Sequence, residues 1–281
     1  LIAISSASQD ITIDALRIEQ IGHDERGAMA AGAAVAVAGW WSGYKIGGMI
    51  TLFTADYFET LGHVNYWQMT FLVLLAIILL TNVGLLFIPE ESSDERIKAQ
   101  AEAQAAIASR VGGNNPISQI VAFFSSAILG PLTSFFKKNG LAIGIGILSF
   151  IFLFKIGEAF MGKMSLVFYK EIGFSKSQIA IYSKGLGWIT TISFTLLGGY
   201  FAIRSGSIRA LFIAGIAMAA TNVMFSILAW SGKSELLFAV AVLLDDIAAA
   251  FATVAFVAFI SLLVDRTYTA TQYALLASIG T

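Results

Sequence analysis

Residues 236–264 read LLFAVAVLLDDIAAAFATVAFVAFISLLV, an apolar run of helical length interrupted by two adjacent acids, Asp245 and Asp246. About 20 mostly apolar residues cross a bilayer as a helix, each advancing about 1.5 Å through a hydrocarbon core of about 30 Å. The run is long and lacks the two-residue alternation of a barrel strand, so it predicts a membrane-spanning helix. A carboxylate at bilayer depth costs at least about 2.5 kcal/mol on insertion scales, and such residues usually face a cavity and mark a substrate or ion pathway. This one stretch therefore points to an all-α integral membrane protein that moves something.

The pattern repeats outward from it. Complete spans are expected over residues 28–55, 67–88, 139–161, 178–203, 208–230 and 236–264, with partial ones near 1–16 and 268–281. Hydrophobic residues make up 57% of the chain and charged residues 12%, with a mean hydropathy of +0.80. Soluble domains carry about 25% charged residues, so this chain lacks the side chains to coat a water-soluble surface. A net charge of -1 gives no sign of a nucleic-acid partner. The absence of cysteine removes disulfides, thiol catalysis and thiolate metal sites. His23 and His63 fall in expected loops and cannot alone build a metal centre, so neither a metal nor a cofactor is expected. The chain opens at Leu1 and stops at Thr281 inside apolar stretches, and reads as the middle of a larger membrane protein.

Basic residues set the expected orientation. Alternate connections hold Arg17 and Arg26; Arg96, Lys98, Arg110, Lys137 and Lys138; Arg204 and Arg209; and Arg266. The positive-inside rule places these in the cytoplasm. Residues 89–138 form the one long connection, with a solvated helix over 97–110, a break at 112–116, and an amphipathic stretch cut by Pro131 that is expected to lie on the membrane surface. The expected domains are therefore 1–88, the linker 89–138, and 139–281. Gly39, Gly43 and Gly47 recur every fourth residue, a spacing that lets helix backbones approach closely in lipid, and are read as packing residues.

Several polar constellations interrupt the spans. In Ser8-Gln9-Asp10-Ile11-Thr12-Ile13-Asp14-Ala15-Leu16-Arg17, the two acids share a helix face, being four residues apart. Asp14 has Arg17 one turn on and is read as structural, together with that arginine. Asp10 lies deeper, without a cation at that spacing, and is the favoured proton carrier. Lys155 and Glu158 are three apart, which allows an internal salt bridge that would ease insertion. With Gly157 between them, the stretch also suggests the broken helices that line transporter sites. Lys184 can snorkel to the interface or reach a ligand, and Lys45 is similarly placed. Asp245 and Asp246 diverge by about 100° on a helix, and burial and mutual repulsion make the pair a candidate proton carrier. Asn222, in the preceding span, can add a neutral hydrogen bond. The motifs HExxH, GxSxG and Walker A are absent, so an enzyme is not expected.

The block Ala7 to Arg17 followed by Glu25-Arg26-Gly27-Ala28 resembles the fourth helix and following loop of the muropeptide permease family (AmpG), within the major facilitator superfamily. Tyr182-Ser183-Lys184-Gly185-Leu186-Gly187, Ala255-Phe256-Val257-Ala258-Phe259 and the run Asp265 to Leu276 agree in the same order. The resemblance implies a major facilitator-type helical bundle of twelve helices in two halves, this chain holding about the fourth to the start of the eleventh. It further implies proton-coupled import of anhydro-muropeptides, the sugar-peptide debris of wall turnover, across the bacterial inner membrane, serving peptidoglycan recycling and β-lactamase induction. By position, Gln9, Asp10, Lys155, Glu158 and Lys184 match polar cavity residues. The family usually has Asp where Glu158 stands, and a Glu-Asn type pair at Asp245-Asp246. Transport of another anion such as acetyl-CoA, or a non-transporting membrane sensor, are the alternatives.

Overall fold

Single glycines punctuate the second half of the chain. Gly140, with φ +77°, is the sole residue between the helices Pro116–Asn139 (α4) and Leu141–Ile172 (α5). Gly206, with φ +85°, does the same between Gly187–Ser205 (α6) and Ser207–Ser231 (α7). A positive φ, which glycine adopts at no steric cost, lets one residue end a helix and start the next, a backbone that other side chains would resist. The computed structural model describes residues 2–21, 26–88, 97–98, 101–102, 105–106, 116–179, 182 and 187–280. The remaining long helices are Ile2–Gln20 (α1), Arg26–Thr60 (α2), Tyr66–Leu85 (α3), Glu235–Leu263 (α8) and Thr269–Ile279 (α9). A single helical turn, Lys176–Ile179, and a 3₁₀ turn, Arg266–Tyr268, complete the order, and no strand occurs among the described residues.

Four of these helices, α3, α5, α7 and α8, are long and apolar enough to cross a membrane. Their outward faces carry large exposed apolar side chains, such as Phe71, Leu75 and Leu79 on α3 and Ile143, Phe152 and Leu153 on α5. In lipid such a surface carries no penalty, while helical hydrogen bonding satisfies the backbone internally. Burial concentrates on α8, which packs on α7, α6 and α2. The first half of α2 lies against α6, while α1 lies against α9. Ile18, Met29, Ala30, Ala33, Ala202, Ala258, Ile260, Val264 and Leu276 form a common core where these helices meet.

Small residues set the closest approach. A Cβ on Gly199 of α6 would stand 2.3 Å from the Ala34 Cβ of α2, and one on Gly198 would stand 3.1 Å from the Phe251 Cα of α8. By contrast, an added Cβ at Gly39, Gly43 or Gly47 meets no atom within 4 Å. Within this chain that glycine stripe borders open space. Close packing falls one turn and more earlier, at Ala30, Ala33 and Ala34.

Two expectations need revision. α5 runs unbroken from Leu141 to Ile172, well past residue 161, with neither Gly157 nor Gly162 interrupting it. The broken helix expected around Lys155 and Glu158 is absent, because an isolated glycine costs only about 1 kcal/mol in a helix whose other residues hold it. Pro131 does not cut α4 either. It is buried, and its carbonyl accepts a 2.8 Å hydrogen bond from Gln272 Nε2 of α9, an external tie that holds the helix there. The described part of α6 is Gly187–Ser205, and most of residues 180–186 and of the helix expected over 97–110 lie outside the described residues.

Candidate functional site

A cavity of about 530 Å³ opens between α2, α5, α6, α7 and α8. Its acids are Glu158 from α5 and Asp245 and Asp246 from α8, with Asn222 from α7 beside them. Trp41 of α2, Tyr169 and Ser165 of α5, Thr191 of α6 and Thr253 of α8 supply aromatic and hydroxyl surface. The volume is within the range of about 300–1,000 Å³ usual for small-molecule sites, and the mix of apolar wall with few polar groups is typical of them.

The two adjacent aspartates reach two walls. Thr221 Oγ1 of α7 donates to Asp245 Oδ1 at 3.1 Å. Asp246 turns toward α6, where a Cβ on Gly187 would stand 2.5 Å from its Oδ2. The divergence expected of neighbours on a helix is therefore kept, yet both line one chamber. From α5, Lys155 Nζ donates to Glu158 Oε2 at 2.5 Å and to Thr253 Oγ1 at 3.4 Å, and lies 5.3 Å from the Phe256 ring centroid. The lysine side chain is only 14% exposed and the glutamate 34%. A desolvated charge of this kind needs a partner, and Lys155 finds it one turn along its own helix.

The other sequence-predicted residues lie elsewhere. Asp10 is exposed on α1 and does not line this cavity. Gln9, also exposed, donates through Nε2 to Asn82 Oδ1 of α3 at 3.1 Å. Asp14 pairs with Arg17 at 3.1 Å, and Arg17 Nη2 also reaches Ser261 Oγ of α8 at 3.1 Å while its guanidinium lies 5.8 Å over Tyr273 of α9. This arginine thereby ties α1 to α8 and α9. Lys184 lies outside the described residues, and Lys45 is placed on α2 without its side chain being described. Among the described residues no group of three or more potential ligands could hold a metal.

Trp41, Ser165, Tyr169, Thr191 and Thr253 were not singled out from sequence. Thr253 follows Asp246 by seven residues, with Ala249 and Ala250 between them, so helical spacing alone places all four on the cavity face. Tyr169 was hidden by ending its helix too early.

The sequence profile of the Major Facilitator Superfamily matches residues 1–281. The chain belongs to that superfamily. Its relatives include a protein named putative transporter AmpG 4 from Rickettsia conorii, 31% identical over 99% of this chain and 60% of that protein. The anhydromuropeptide permease of Escherichia coli K12 is 30% identical over 100% of this chain and 50% of that permease. An uncharacterized protein of Haemophilus influenzae is 30% identical over 100% of this chain and 60% of its own length. The chain thus spans between half and about 60% of these curated relatives.

Proposed function

We propose that this chain carries the transport cavity of a proton-coupled secondary transporter, and not of an enzyme, that imports anhydro-muropeptides across a bacterial inner membrane. The observation that carries the reading is the cavity itself: three acids, one of them paired with Lys155, line one chamber bounded by helices from both parts of a major facilitator-type bundle. The name of the Escherichia coli relative supports the sugar-peptide substrate. Residues 1–88 and 139–281 are read as parts of two halves joined by the linker 89–138.

The arrangement suits an outward-facing state. The helices meet at the end that carries the excess of basic residues, around Ile18, Ala30, Ala202 and Ile260. Beyond Trp41, Gly43 and Gly47 of α2 border open space, while further along the helix Ala55 is buried and α2 packs on α3. Rocking of one half against the other would close that side and open the basic end, as alternating access requires. Glu158 is the leading proton carrier among the cavity acids, with Asp245 and Asp246 beside it. Protonation of Glu158 would release Lys155 Nζ from its partner and present a free ammonium to a substrate carboxylate, which couples proton and substrate in one step. Asn222, and Lys184 and Lys45 if they turn inward, would complete the substrate contacts.

Asp10 stands apart from this chamber and is proposed as a second acid on the proton path. Asp10→Asn is expected to abolish uptake at normal membrane levels, and wild-type-like uptake would remove Asp10 from the mechanism. The deciding experiment is uptake of radiolabelled anhydro-muropeptide into membrane vesicles holding the full-length protein, with and without an imposed pH gradient. Accumulation only with the gradient supports the reading. Gradient-independent equilibration rules out proton coupling, and absence of flux rules out transport of this substrate.

A further inference from the structure

A second concavity, of about 460 Å³, opens where α4 ends. Gly130, Thr133, Ser134, Lys137 and Lys138 of α4 line it together with Tyr268 of the 3₁₀ turn. Two ammonium groups and three hydroxyls thus border one space. Thr133 Oγ1 donates to the carbonyls of Leu129 and Gly130, at 2.7 and 2.9 Å, and Ser134 Oγ donates to Asp265 Oδ2 at 2.5 Å. Their protons are committed, so the donors left for a ligand are the lysines and the tyrosine. Among the described side chains Asp265 is the acid beside the site, and Lys137 and Lys138 outnumber it by one charge. Tyr268 lies directly over Gly130: a Cβ there would stand 3.2 Å from its hydroxyl oxygen.

The depth of this site suggests its occupant. Lys138 precedes by three residues Leu141, where the spanning helix α5 begins, and Tyr268 follows Leu263, the end of α8, by five. The polar layer outside the hydrocarbon core is about 5 to 7 Å thick on each side, and basic residues a few positions from the end of an apolar span lie in or near it. Lys137 and Lys138, just across the Gly140 break from the start of α5, are therefore placed to reach that layer. The helix dipole accounts for a lysine at the end of α4. It does not account for Tyr268 and a glycine being brought over the same space.

We propose that this concavity binds the phosphate headgroup of an anionic phospholipid, with Lys137 and Lys138 supplying the charge and the Tyr268 hydroxyl a hydrogen bond. Basic pockets at the ends of transmembrane helices bind such headgroups through the same chemistry. A soluble phosphate shares that chemistry, and the bilayer-level position favours the lipid. The site is separate from the transport cavity and does not depend on what the transporter carries.

The test uses the full-length protein purified in a neutral detergent, with native mass spectrometry and thermal unfolding as readouts. Phosphatidylglycerol is titrated against phosphatidylcholine, and inorganic phosphate is titrated alone. We expect phosphatidylglycerol to bind and raise the unfolding midpoint, phosphatidylcholine to do neither, and Lys137→Gln/Lys138→Gln to weaken binding by about thirtyfold. Both lysines are exposed, so that variant should fold as the wild type does. Tyr268→Phe, which keeps the ring over Gly130, is expected to weaken binding several-fold less than the double lysine change. Equal binding of the two lipids, or an undiminished effect in the lysine variant, overturns the site. Saturation by inorganic phosphate at the concentration needed for lipid overturns the lipid assignment.

Discussion

Lys155 and Glu158 are held 2.5 Å apart on one helix, with Thr253 as a further contact of the lysine from α8. Neutralising Glu158 to glutamine leaves the Lys155 ammonium without its counter-charge but keeps a neutral hydrogen-bond acceptor beside it, a milder change than truncating the acid. Glu158→Gln is therefore expected to insert and fold, yet to lose the response of uptake to a pH gradient. Vesicle uptake should fall at least about tenfold, the ratio that corresponds to about 1.4 kcal/mol. Retained gradient-driven uptake would shift the proton-carrying role to Asp245 and Asp246. Gly187 offers a second probe. Its missing Cβ leaves room for the Asp246 carboxylate, and Gly187→Ala would push Oδ2 aside from a 2.5 Å approach. Because the end of a side chain can yield, the fold should survive and substrate affinity should drop by about tenfold, the scale of one displaced charged contact. Unchanged affinity in direct binding would show that Asp246 does not touch the ligand.

At the scale of helices, the contact between α2 and α6 depends on small residues more than on apolar area, because lipid competes for apolar surface equally well. Gly199→Ala places a methyl 2.3 Å from the Ala34 Cβ, a contact that neither backbone can absorb without moving. Overpacking of this kind costs about 1–3 kcal/mol. The closed end should open, and a single cysteine introduced at Ala33, now buried, should become reactive to a water-soluble thiol reagent. An unreactive probe would mean that the helices re-pack without separating. Element by element, the apolar spans were legible because length and composition alone define them: α7, α8 and α3 fall within a few residues of the expected bounds. The end of α5 and the continuity of α4 were not legible. A glycine or a proline weakens a helix locally, but whether it breaks depends on neighbours, such as Gln272 against Pro131, that are distant in sequence. The cavity was half legible. Acids in apolar runs announced Glu158, Asp245 and Asp246, while the placement of Asp10 outside the chamber follows from where α1 packs, which local spacing does not encode.

For the whole molecule, the end where α1, α4, α8 and α9 converge is fastened by polar ties. Arg17 reaches Ser261, Ser134 reaches Asp265, and Gln272 joins the Pro131 carbonyl to the Asp265 amide. Burial alone would raise the Asp265 pKa, but hydrogen bonds from Ser134 and Thr267 and the charge of Lys138 outweigh it and hold the value below the ordinary 3.8. The folded state therefore binds its proton more weakly than the unfolded chain does, so stability from this group is complete above pH 3.8 and lost as pH falls through the lower folded value. Thermal unfolding of the purified protein should show Asp265→Asn less stable than wild type at neutral pH, with the gap narrowing in acid. A gap independent of pH would assign the effect to lost hydrogen bonds alone.

Since both members of the Lys155–Glu158 couple ride on the same rod of backbone, their charges cancel wherever that rod travels. A lone charge carried through the membrane voltage would gain or lose about 2.3 kcal/mol per 100 mV. The joined couple crosses the same field as a small dipole, so this stretch of α5 can swing with the bundle without electrical work until a proton separates the two.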